Sequence, residues 1–154
     1  MMPSLPWLGG CNCASIRYRV SKPGLTCYIC HCHLCQKRTG SAFSMSIVLQ
    51  ADGIDLLQGT LERSERSLPS GGTNASFTCS ACHSRLWTAR GGSRTVNLRV
   101  GTLDDTGNIA PVAQIWTSSA QAWAVQPDLL SYAEQPGDYA PLLAAWRVRQ
   151  EGTR

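Results

Sequence analysis

Charge is scarce in this chain. Only 16% of its 154 residues are charged, and like charges never gather into a block. The net charge of +4 comes largely from arginines scattered from Arg17 onward. A nucleic-acid binder concentrates its basic residues on one stripe, so no nucleic-acid partner is expected. A small anionic ligand suits the same balance. Long apolar runs are missing too, and nothing approaches the roughly 20 residues of a bilayer span. No membrane partner is expected. The stretch "MMPSLPWLGG" lacks a basic segment followed by an apolar one, so no leader peptide is expected. There is no internal repeat and no low-complexity tract. These absences leave a cytoplasmic protein of one domain, residues 1–154, as the expectation. The hydrophobic content of 43% is enough to build a core.

Cysteine is what the chain does have. Eight thiols in a reducing compartment point to metal rather than to disulfides. They fall into three groups. Cys11 and Cys13 form a CxC, Cys27, Cys30, Cys32 and Cys35 crowd into "CYICHCHLC", and Cys79 and Cys82 form a CxxC.

Between the thiols the chain reads mostly as strands. "SIRYRV" alternates, with Ile16, Tyr18 and Val20 on one face and Arg17 and Arg19 on the other. Residues 42–49, 61–68, 75–79, 85–90, 95–103 and 112–119 read the same way. Turn-forming stretches such as "PSGGTN", "RGGS" and "DDTGN" separate them. Short strands at this spacing predict a mostly β, sandwich-like fold of antiparallel sheets. Two helical pieces interrupt it. "CQKRTG" makes one short turn ended by Gly40. Residues 138–150 make a short C-terminal helix, with Asp138 at its N-cap and Pro141 in its first turn. Tyr139, Leu142, Leu143 and Trp146 form its packing stripe. Trp87, Trp116 and Trp123 are expected in the core.

Near-neighbour pairs such as Cys11 and Cys13 suit a metal knuckle better than a disulfide. Cys11, Cys13, Cys79 and Cys82 together make a closed four-thiolate site that ties distant segments. The remaining stretch leaves alternatives. Cys27 and Cys30 are an odd number apart on a strand and face opposite ways, which excludes Cys27. Cys30, Cys32 and Cys35 then leave a fourth position open, the pattern of a catalytic zinc. A closed site completed by Cys27, His31 or His33 is the other arrangement.

The motifs "GGCNCASIRYRV", "CHCHLCQKRTGSAF", "FTCSACHSRLW", "VNLRVGTLDD" and "IAPVAQIWTSSAQAW", in that order, resemble the glutathione-dependent formaldehyde-activating enzyme family over residues 8–132. The resemblance implies a β-tent fold with two zinc ions per chain. It implies a structural zinc on Cys11, Cys13, Cys79 and Cys82, and a catalytic zinc on Cys30, Cys32 and Cys35. The implied reaction joins glutathione, or another thiol, to formaldehyde or another aldehyde. Two positions depart from the family's pattern. His83 follows the CxxC where the family usually has Gly, and Gln114 stands where it often has His. The helix at 138–150 lies beyond the resemblance.

A zinc held by three thiolates is a poor activator of water but a good anchor for a fourth thiol. The oxyanion formed on the aldehyde then needs a proton. His33 is the first candidate donor, ahead of His31 and Tyr28. Lys37 and Arg38 follow Cys35 and are candidate partners for glutathione's carboxylates. Ser41 is a further candidate substrate contact. His83 is expected to order its loop or to face solvent. Rival readings are a zinc scaffold, a glutathione-binding module without catalysis, and a related zinc lyase or isomerase acting on another electrophile.

Overall fold

The structure, a computed structural model, describes residues 3–152. Eleven strands form among them: β1 (Trp7–Gly10), β2 (Arg17–Val20), β3 (Thr26–Cys30), β4 (Ser44–Gln50), β5 (Ile54–Gln58), β6 (Leu61–Ser67), β7 (Thr73–Cys79), β8 (Arg85–Arg90), β9 (Thr95–Arg99), β10 (Ala113–Ile115) and β11 (Leu130–Tyr132). Two α-helices join them, α1 (His33–Thr39) and α2 (Ala140–Glu151). No helix is long and apolar enough to cross a membrane among the described residues.

The fold is mostly β, in two sheets, with one short C-terminal helix. The small sheet runs β1-β2-β5. The large one runs β11-β10-β3-β4-β9-β8-β7-β6. The expected antiparallel pairing holds except at one edge, where β10 runs parallel to both β3 and β11. The expected strand at 112–119 is only three residues long. Trp116 takes a left-handed conformation with φ of 60° and turns the chain away. Strand β9 likewise stops at Arg99, where a 3₁₀ turn over Val100–Thr102 begins.

The large sheet has two chemically different faces, because side chains alternate along each strand. One row reads Cys27, Ile47, Leu98, Trp87 and Phe77 across five paired strands. This apolar face is the core. Trp87 stacks on Phe77 with ring centroids 5.7 Å apart and meets Tyr18 of the small sheet edge-on at 5.8 Å. The neighbouring row reads Thr26, Val48, Asn97, Thr88, Ser76 and Ser64. Beside it, Tyr28 pairs with Ser46 and Ser46 with Arg99. The second face is therefore polar, and Ser44, Ser46, Ser76 and Thr88 are buried on it.

The "GTLDD" stretch fastens the small sheet to the large one. Thr102 Oγ1 donates to the Arg99 carbonyl at 2.7 Å and accepts from the Tyr18 hydroxyl at 2.8 Å. Asp104 receives both terminal nitrogens of Arg17. Gly9 permits this closeness, since a Cβ there would stand 2.5 Å from the Thr102 carbonyl oxygen.

Helix α2 lies against β3. Trp146 donates its indole N–H to the Gly24 carbonyl at 2.8 Å, and Thr26 Oγ1 donates to the Leu142 carbonyl at 3.1 Å. Asp138 Oδ1 accepts from the Ala140 N–H at 2.8 Å, one residue ahead of Tyr139, which takes the N-cap position. Leu142 and Trp146 are buried, while Tyr139 and Leu143 are half-buried. Trp123 corrects the expectation of a core residue. It is 76% exposed, because its short 3₁₀ turn buries Ala124 instead. Trp146, by contrast, is 1% exposed. Trp146→Ala should therefore cost about 3–5 kcal/mol of stability, measured by chemical denaturation. A loss below about 1 kcal/mol would mean that α2 is an appendage rather than part of the core.

Candidate metal centres

Two thiol clusters form, each with its sulfurs within 4.8 Å of one another. The first gathers Cys11, Cys13, Cys79 and Cys82. Two tight backbone turns present them. In one, the Ala14 N–H donates to the Cys11 carbonyl at 3.1 Å; in the other, the His83 N–H donates to the Cys79 carbonyl at 2.9 Å. The turns are joined where the Asn12 N–H donates to Ser84 Oγ at 3.1 Å. Four sulfurs each about 2.3 Å from one ion stand roughly 3.8 Å apart. Cys11 and Cys13 are 3.5 Å apart, and Cys13 and Cys79 are 3.8 Å apart. The set therefore fits a tetrahedral, thiolate-loving ion.

Two hydroxyls near these thiols were not legible as site residues. Ser15 Oγ lies 3.1 Å from the Cys13 sulfur and 3.2 Å from that of Cys79. Ser84 Oγ lies 3.2 Å from the Cys82 sulfur. Hydrogen bonds from the side chain and backbone of Ser84 push the Cys82 thiol down to about 5. Serines two residues from a metal-type thiol were the available signal.

The second cluster gathers Cys30, Cys32 and Cys35. Cys30 ends β3 on the polar face. Cys32 caps α1, its sulfur accepting the Cys35 N–H at 3.4 Å. Gly40 ends α1 in the left-handed conformation, with φ of 65°. Gln36 pins the helix by donating to the carbonyls of His31 at 2.7 Å and Ser119 at 2.9 Å. Hydrogen bonds from Cys30 and Cys32 hold the Cys35 thiol well below its ordinary value, while Cys32 and Cys35 push Cys30 up. The three sulfurs converge where a cation can be held. Cys27 stands apart, fully buried on the apolar face, where burial pushes its thiol up to about 12.

No histidine joins the three thiols. His31 is buried and engages Gln114, with its Nε2 3.2 Å from Gln114 Oε1, and its Nδ1 has no partner. His33 is exposed in the first turn of α1. Tyr28 lies on the polar face two residues before Cys30, and burial raises its phenol far above the usual value. Lys37 and Ser41 are exposed. Arg38 reaches over the sheet and donates to Ser76 Oγ at 3.0 Å. Gln114 is buried and fully hydrogen-bonded.

His83 is exposed and has φ of 60°. That conformation explains why glycine suits the position after this CxxC. Comparison with known proteins agrees with the motifs. The model of the family described as "Glutathione-dependent formaldehyde-activating enzyme" matches residues 7–119. A Rhodobacter sphaeroides protein, a structural-genomics crystal structure, superposes with a TM-score of 0.51 at 13% identity, over 81% of this chain and 98% of the other. That likeness concerns the fold alone. The comparison with curated proteins returned no match.

His83→Gly should stabilise the protein. Relief of roughly 1–2 kcal/mol of left-handed strain outweighs the roughly 0.5–1 kcal/mol that glycine's freedom in the unfolded chain costs. A thermal melt that falls, rather than rises by a few degrees, would show that the imidazole has a stabilising contact.

Proposed function

The chain belongs to the glutathione-dependent formaldehyde-activating enzyme family, and on that premise we propose that it is a zinc-dependent carbon–sulfur lyase of the S-(hydroxymethyl)glutathione synthase type. The observation that carries the reading is the three-thiol group, which gathers without a fourth protein donor among the described residues. In this reading each cluster holds one zinc ion, giving two per chain. Cys11, Cys13, Cys79 and Cys82 make the closed, structural site. Cys30, Cys32 and Cys35 make the open one, and the thiols stay reduced in the cytoplasm.

Zinc at the open site supplies a soft position that favours an incoming thiol as its thiolate. The chain's own residues arrange the rest. Cys32 and Cys35 are fixed by the first turn of α1, so the three sulfurs present one face. Arg38 leans over that face from α1 and is placed to meet a carboxylate of glutathione. Lys37 and Ser41, both exposed beside it, form the outer rim. In the reaction the thiol gives up its proton and its sulfur adds to the formaldehyde carbon. The carbonyl electron pair moves to oxygen, and that oxygen takes a proton. His33, exposed on α1 beside Cys32, is the proposed donor, with Tyr28, on the face that carries Cys30, as the alternative.

A freshly purified sample should contain two zinc ions per chain of unequal lability. The closed site stitches segments far apart in sequence, so its metal binding is also folding energy. A mild chelator should remove one zinc first, leaving a folded protein that no longer accelerates adduct formation between glutathione and formaldehyde. Cys32→Ser should reproduce that state, and Cys82→Ser should lose the fold. One zinc per chain, or two lost at the same rate, would remove the support for an open site.

A further inference from the structure

Four arginines meet on the polar face of the large sheet, and among the described residues none of them forms a salt bridge with a carboxylate. Arg99 ends β9 opposite Ser46, with its Nη1 donating to Ser44 Oγ at 3.3 Å and also to Ser46 Oγ. Arg85 begins β8 opposite Thr78. A register shift between Phe77 and Thr78 turns it to this side. Arg66 on β6 stands opposite Asn74, and Arg38 arrives from α1 onto Ser76.

The four salt bridges of the described residues, Arg17–Asp104, Arg19–Asp55, Lys22–Asp52 and Arg63–Glu65, involve none of them. Glu62 shares the face at the sheet's outer edge and pairs with none of them either. The Nε atoms of Arg66, Arg85 and Arg99 are buried without a partner.

Such a cluster is costly. Burial, with Arg99, Arg38 and Arg66 as neighbours, pushes the Arg85 guanidinium down to about 10, and burial together with Arg66 and Arg99 lowers Arg38. Even at about 10, the Arg85 guanidinium is a cation at neutral pH. Cys35 of the three-thiol cluster lies close enough to oppose the shift at both arginines. A divalent ion on three thiolates carries one net negative charge, so most of the positive charge is left unanswered. Guanidinium forks match carboxylates in geometry and sign.

We propose that Arg38, Arg66, Arg85 and Arg99 form an acid-binding subsite that takes the carboxylates of a thiol substrate while its sulfur goes to Cys30, Cys32 and Cys35. The assignment rests on the thiol reading above and deepens it, because it names the side chains that receive the acid groups. It extends the recognition of acid from Arg38 on α1 to three arginines of the sheet. Lys37, next to Arg38 in sequence, lies outside the cluster.

The test separates acid from sulfur. S-Methylglutathione keeps both carboxylates but cannot offer a thiolate, and its dimethyl ester lacks the acids. Both are titrated calorimetrically into the zinc-loaded protein, its Arg85→Gln and Arg99→Gln variants and an Arg85→Lys control, with inorganic phosphate as a free anion and 2-mercaptoethanol as a neutral thiol. The acid should bind at least tenfold more tightly than the ester. Each Gln variant should weaken the acid about tenfold or more, and Arg85→Lys should restore part of it. Without ligand, Arg85→Gln should melt no lower than the parent, because it relieves repulsion. Proton release on adding 2-mercaptoethanol should persist in every variant.

Equal binding of acid and ester would overturn the subsite while leaving the open metal site standing. Phosphate binding without preference for the acid over the ester would also overturn it. So would Gln variants that bind the acid as the parent does. Loss of the 2-mercaptoethanol proton in the parent itself would instead sink the thiol reading.

Discussion

The register of β3 against β4 decides what this molecule can do. Pairing Cys27 with Ile47 and Cys30 with Ser44 sends one thiol into the core and the other to the polar face. A slip by one residue would exchange them. Cys30 would then face the apolar side of the sheet, and the three-thiol cluster could not form. The apolar row through Ile47, Leu98, Trp87 and Phe77 holds the register, because it buries only if every strand keeps its phase. The site therefore inherits its geometry from the core on the opposite side of the same sheet.

That arrangement leaves a buried polar face to be satisfied. Ser44, Ser46 and Ser76 each meet an arginine, so their oxygens are not stranded. The arginines solve one problem and create another, since unpaired like charges held close together oppose folding. The four-thiol clamp offsets this when metal is bound. It joins the segment before β2 to the β7–β8 turn, and β7 and β8 carry two of the residues that frame the cationic face, Ser76 and Arg85. Metal held at one end of the molecule would thus support a destabilising charge pattern in the middle. This resembles the general trade between stability and function at binding sites.

The thiol groupings were legible because CxC and CxxC spacing forces neighbours together whatever the tertiary fold. Strand parity spoke for Cys27 in the same local way. Most strands were legible too, from alternation alone. Strands β1, β5 and β11 were not, since "WLGG", "IDLLQ" and "LSY" lack a repeated apolar/polar alternation. The parallel strand β10 was read too long because nothing in "VAQIWTSS" announces the left-handed turn at Trp116. The arginine cluster was hidden for a different reason. Arg38, Arg66, Arg85 and Arg99 are spread over more than sixty residues, and they converge only through four strand pairings and one bulge. Scattered arginines looked like diffuse charge until the register was known.

Gln114 shows how a departure from a family pattern can be structural in origin. Its Oε1 accepts from His31 Nε2 and from the Gln126 N–H, while its Nε2 donates to the Gln126 carbonyl and to Ser131 Oγ. Every hydrogen-bonding position of the amide is used, and the group joins β10, β3, β11 and the turn before residue 126. A neutral imidazole offers one donor and one acceptor and could not fill that set. Because Oε1 acts as acceptor, His31 Nε2 must donate, which fixes the imidazole behind the loop that carries Cys30 and Cys32. Gln114 therefore acts on the site at one remove, by holding His31 and the peptide next to the thiols. On the acid-binding proposal above, the residues that distinguish one substrate from another belong on the polar face of the sheet, among the arginines.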